Sequence, residues 1–100
     1  MDIGKVVGTV ISTNKAESLT GQKLLVVQMY DIATMRLTDK NMVAIDAVGA
    51  GEEEVVMVVT GSSARLTAVT EKKPVDAAII GIVDSIEIEH KTVFCKNEEP

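Results

Sequence analysis

The chain has 100 residues, 46% of them hydrophobic but only 2% aromatic, with a formal net charge of −5. That length holds one domain, and this hydrophobicity with 25% charged residues excludes intrinsic disorder. No apolar run approaches the roughly 20 residues that span a bilayer, and scattered basic residues outnumbered by acids argue against nucleic acid.

Twenty-four residues are Val or Ile, which are stiff at χ1 and suit pleated surfaces, so the composition leans to β structure. The opening Met1-Asp2-Ile3-Gly4 begins with an acid and has no basic region before an apolar core, unlike a signal peptide. Residues 3–13 form a β-branched run with Gly4 and Gly8 inside it, a pattern of bulges or corners. Residues 14–21 are polar and read as a loop. A second strand is expected from Lys23 to Tyr30, followed by a surface connection from Asp31 to Asn41.

Met42 to Val48 reads as a third strand, stopped by Gly49-Ala50-Gly51 and an acidic turn, Glu52-Glu53-Glu54. Val55 to Thr60 is almost wholly apolar, as in a strand buried on both faces. Ser62 or Ser63 can cap a short helix within 61–73 that must end before Pro74. Asp76 opens a last long run ending in alternation, with Ile86 and Ile88 on one face and Glu87 and Glu89 on the other. His90-Lys91 turns the chain into Thr92-Val93-Phe94, and residues 96–100 are expected to form a flexible tail after a single domain over 1–95. Without βαβ alternation, the expected architecture is all-β: a small closed five-stranded OB-like barrel with one short helix.

Catalytic, cofactor and metal sites are not expected. His90 is the single histidine and Cys95 the single cysteine, which excludes the common zinc sets and leaves any nucleophile without a partner. The lone thiol suits a reducing cytosol better than secretion. Gly49-Ala50-Gly51 lacks the third glycine and the helix of a dinucleotide fingerprint. An OB-like barrel often stacks single-stranded nucleic acid on aromatic rings, but Tyr30 and Phe94 are the sole rings here. A mean hydropathy of +0.23 in so small a domain hints that apolar surface is covered by another chain.

The runs Ala44 to Gly51, Gly61 to Arg65, Pro74 to Asp76 and Ile80 to Asp84, with Gly4 to Val10 and Gly21 to Leu25, resemble the bacterial microcompartment vertex family of EutN/CcmL type. The resemblance spans about residues 4–84. It implies an OB-like barrel assembling with itself as a homopentamer that caps the vertices of a cytoplasmic polyhedral shell. Hexameric shell proteins would tile the facets, enzymes would sit inside, and the protein would be structural, without membrane or nucleic-acid partners. Glu53 stands where the family pattern expects glycine, which puts the backbone form of that turn in question. Gly49, Ala50, Gly51, Ser62, Ser63 and Arg65 are the candidate subunit-interface or ring-axis residues; alternatively they permit tight turns and a helix cap within one subunit. Ring size is left open by the sequence itself, and the competing reading is a monomeric OB-like module that binds a protein or small ligand.

Overall fold

The computed structural model describes residues 1–11, 22–61 and 76–96. Five strands close a barrel: β1 (Asp2–Val10), β2 (Leu24–Asp31), β3 (Arg36–Asp46), β4 (Val55–Thr60) and β5 (Ala77–Ile82), in spatial order β1-β2-β3-β5-β4. Two further strands, β6 (Ser85–Ile88) and β7 (Lys91–Cys95), form a separate two-stranded sheet. The expected closed five-stranded barrel is present. The short helix expected over 61–73 lies, beyond Gly61, outside the described residues.

The fold imposes an alternation of burial on strands whose sequence is apolar on both faces. Along β2, Leu25, Val27 and Met29 point inward and are buried, while Leu24, Val26 and Gln28 are half-exposed. Val6, Ala44, Val56, Val58, Ala77 and Ile79 complete the barrel interior. Burying each Val, Leu or Ile there is worth about 1.5–3 kcal/mol, so medium-sized aliphatic side chains suffice to hold the barrel. Val55 to Val59 is buried on both faces apart from the half-buried Met57, as its composition predicts. Its outward-facing Val59 joins Ile45 and Ala78 in a second cluster, flanked by Leu24 and Ile80 on the outside of the barrel wall.

Gly4 serves close packing. It is buried where β1 pairs with both neighbours, Met29 of β2 and Val56 of β4. A Cβ added there would run into Val27 Cγ1 and come within 2.9 Å of the Gln28 carbonyl oxygen.

Two expectations are corrected. The polar stretch before Met42 is not a connection but the first half of β3, and that strand ends at Asp46 rather than Val48. Arg36, Leu37 and Asn41 pair with Asp31, Tyr30 and Gln28 of β2. Thr38 Oγ1 donates to the Met29 carbonyl at 2.9 Å, and Gln28 Nε2 donates to the Thr38 carbonyl at 2.7 Å. Backbone pairing holds this exposed half of the strand, so hydrophobic patterning could not reveal it. The final apolar run is also two strands rather than one. It breaks at Val83-Asp84, where the Val83 N–H turns back to the Val55 carbonyl at 2.8 Å. Within the otherwise antiparallel barrel, β3 and β5 run parallel through Ile45–Ala78 and Asp46–Ile79.

Candidate functional site

The turn between β3 and β4, residues 47–54, carries three of the six candidate contact residues and is built by charged side chains around it. Asp46, buried at the end of β3, accepts the N–H groups of Val48 and Gly49, both at 3.0 Å. This is the local bonding that makes Asp a turn former, and it satisfies a carboxylate that burial would otherwise penalise. Its second oxygen faces Lys23 Nζ at 3.9 Å, and the same ammonium donates to the Ala50 carbonyl at 2.7 Å.

Gly49 is exposed with φ +80°, in the left-handed region that favours glycine. Ala50 is wholly buried and belongs to the barrel core. Gly51 is half-buried and donates its N–H to Glu54 Oε1 at 2.7 Å. The other Glu54 oxygen accepts from Lys96 Nζ at 2.8 Å. The hydrogen bond from Lys96, followed by that from the Gly51 N–H, holds the Glu54 carboxyl below its usual range; Glu54 in turn raises Lys96.

Glu53, at the position where glycine was expected, keeps a glycine-type backbone with φ +72°. The turn is fastened to β1 from both sides, with Glu53 N–H on the Val6 carbonyl at 2.8 Å and Val6 N–H on the Glu54 carbonyl at 2.9 Å. Lys5 Nζ, on a half-buried side chain, adds an ion pair with the exposed Glu53 Oε2 at 3.1 Å.

Gly49, Ala50 and Gly51 therefore sit together on a braced turn, Gly49 outward and Ala50 inward. Ser62, Ser63 and Arg65 lie outside the described residues. Sequence reasoning missed the residues that brace the turn: Lys23, Asp46, Glu54 and Lys96. The Asp-x-x-Gly spacing of Asp46 and Gly49 was a usable signal for the first of these contacts; Lys96 lies 42 residues from Glu54 and left none. The carboxylates here hold backbone N–H groups and lysines, an arrangement that shapes a turn rather than moves a proton.

Apolar surface is concentrated elsewhere. Val7 and Val43 are 41% and 50% exposed on the outer face of β1 and β3, on either side of the half-exposed Val26 of β2. On the separate β6–β7 sheet, Ile88 is 37% exposed and Ile86 and Phe94 are half-exposed.

Comparison with known proteins converges on one group. The family model described as ethanolamine utilisation protein EutN/carboxysome matches residues 1–84. The carboxysome shell vertex protein CcmL of Synechococcus elongatus is 47% identical over 98 residues, covering 98% of each chain. The solved structure of Gloeobacter violaceus CcmL superposes with a TM-score of 0.93 at 42% identity, covering 98% of this chain and 100% of that one. The GrpN pentameric microcompartment shell protein from Rhodospirillum rubrum superposes with a TM-score of 0.79 at 46% identity, over 88% of this chain and 99% of that one.

Proposed function

The chain belongs to the EutN/carboxysome family, and from that premise we propose that it is a structural shell protein whose homopentamers cap the vertices of a bacterial microcompartment enclosing metabolic enzymes. The observation that carries this reading is likeness over almost the whole chain to shell vertex proteins, one of them a solved pentamer. Its partners are further copies of itself and the hexameric shell proteins of the facets. It works in the cytoplasm as part of the shell, and its task is closure rather than catalysis.

The physical features suit that task. Head-to-tail contacts close into a ring only when the rotation between neighbours matches the ring, and a small barrel with a braced turn transmits that rotation rigidly. The excess apolar surface acquires a partner in the next subunit. Within this reading, residues 1–95 act as one domain, and the turn at Gly49, Ala50 and Gly51, with Ser62, Ser63 and Arg65, faces a neighbour or the ring axis. Ala50, being buried, contributes by fixing the shape of the turn.

Solution mass by light scattering tests the assembly. Five chains of 10.7 kDa give about 54 kDa, whereas a species at 10.7 kDa would instead indicate a monomeric binding module. Deleting the gene should leave shells that do not close, and the protein should co-purify with hexameric shell proteins. Arg65→Ala should weaken the ring; an equally stable ring would remove Arg65 from the interface.

A further inference from the structure

The β6–β7 hairpin is loosely held. It shares no ladder with the barrel, and none of its residues belongs to either buried cluster. From Ser85 to Cys95 every residue is exposed except Ile86 and Phe94, which are half-buried and stand opposite each other on the two strands. A register shift between Ile86 and Glu87 interrupts the ladder itself. A lone two-stranded hairpin is at best marginally stable in water. The tip works against it as well. Glu89 and His90 form a two-residue connection inside the Ile88–Lys91 pair, and both have positive φ, +50° and +65°. That backbone matches the twist of the strands but selects Asn-Gly or Gly-Gly. Other residues are disfavoured about five- to thirtyfold at each left-handed position, and such strain persists only where something else holds the segment.

The hold is at the base. Buried Val83 donates its N–H to the Val55 carbonyl at 2.8 Å, and the Lys96 N–H closes the hairpin on the Asp84 carbonyl at 2.7 Å. Beyond β7, Lys96 Nζ reaches Glu54 Oε2 at 2.8 Å and ties the returning strand to the barrel. The same carboxylate has a second task, since its Oε1 accepts the Gly51 N–H at 2.7 Å and fixes the β3–β4 turn. One side chain thus clasps the hairpin and the turn together. Once Lys96 lets go, that carboxylate is free to rotate, and the Gly51 N–H loses a fixed acceptor.

We propose that residues 85–95 are a hinged strap that opens and closes as a unit while the barrel stays folded, with Val83-Asp84 as its hinge and Lys96 on Glu54 as its clasp, and that opening the clasp loosens the Gly51 side of the β3–β4 turn. Local opening draws on the least buried parts of a fold. The coupling is reciprocal, so whatever fixes the turn also favours the closed strap. The strap is a property of one chain and goes beyond the assembly reading, because it assigns a motion to these elements rather than a contact.

Hydrogen exchange of the full chain, read by mass spectrometry at one fixed protomer concentration with the solution mass recorded for every sample, tests the strap. Amides of residues 85–95 should exchange about a hundredfold or more faster than those of β1, β2 and β4. Glu89→Asn combined with His90→Gly should slow exchange in the hairpin about tenfold and leave the barrel unchanged. Lys96→Met should speed exchange in the hairpin and in residues 47–54 together, by about two- to fivefold, whereas Lys96→Arg, which keeps a charged donor, should stay near wild type. Hairpin amides that exchange at barrel rates, or a double variant without effect on them, would overturn the strap. A Lys96→Met protein in which the hairpin and residues 47–54 do not quicken together would overturn the clasp. A wild-type mass of 10.7 kDa would count against the assembly reading and leave the exchange contrast to be judged as before.

Discussion

Replacing Gly4 by alanine tests how tightly β1 is packed between its neighbours. The new methyl would meet Val27 Cγ1, the Gln28 carbonyl oxygen at 2.9 Å and Met29 Sδ at 3.3 Å. The carbonyl belongs to the β2 ladder and cannot withdraw without disturbing the pairing of Gly4 with Met29. Overpacking of this kind costs about 1–3 kcal/mol. Alanine lowers the entropy of the unfolded chain and returns about 0.4–1 kcal/mol, leaving a net loss of about 1–2 kcal/mol. For a domain of this size that is a fall in Tm of about 5–15 °C.

Gly81 supplies the control. A Cβ there would meet only the terminal methyl and sulfur of Met57, the latter at 4.0 Å, and a methionine end can swing aside. Gly81→Ala should therefore leave stability within about 0.5 kcal/mol of wild type or raise it slightly. Urea unfolding at one fixed protomer concentration compares the three proteins, since assembly makes stability concentration-dependent. A Gly4→Ala protein as stable as wild type, or a Gly81→Ala protein that is the weaker of the two, would refute the packing argument.

Three further outcomes are expected. Glu53→Gly should leave stability unchanged or raise it by up to about 1 kcal/mol, because a left-handed residue with a side chain costs about 1–2 kcal/mol while glycine returns part of that as unfolded-state entropy; a denaturation midpoint well below wild type would contradict it. Val58→Ala, inside the barrel and fully buried, should cost about 2–3 kcal/mol through lost transfer energy and the cavity left behind, read by the same urea titration. The Glu54–Lys96 pair should shape both pH limbs of a thermal melt. Glu54 is lowered from its ordinary 4.5 by the Lys96 hydrogen bond and then the Gly51 N–H, so its contribution is full above that value and fades as pH falls through the lowered one. Lys96 is raised from 10.5 by Glu54, so its contribution is full below that value and fades as pH rises through the raised one. Glu54→Gln should flatten the acid limb and Lys96→Met the alkaline limb, and a scan in which neither changes shape would dismiss the pair.

The barrel was largely legible in the chain because its signals are local. The short apolar runs at Lys23 to Tyr30 and Val55 to Thr60 and the period-two faces of Ile86 and Glu87 are all local patterns, and each became a strand. The first half of β3 was not legible. Arg36 to Asn41 is polar because it lies on wet surface, and only pairing with β2 makes it a strand. The Gly49-Ala50-Gly51 motif announced a turn but not its construction, since the ammonium groups that shape it arrive from just before β2 and from just after β7.

Composition, glycine placement and motif order by themselves determined an all-β barrel of a recognisable family, because these properties act through nearest neighbours along the chain and survive without coordinates. Tertiary structure alone decided which apolar residues stay uncovered. The Leu24-to-Val59 row and the Val26-to-Val43 row read alike in sequence, yet the first is largely buried and the second exposed. Burial depends on what packs against each row, and that is decided by segments far apart along the chain rather than by the residues themselves. The same long-range pairing leaves β6 and β7 outside the barrel ladders, which no local pattern along the chain announces.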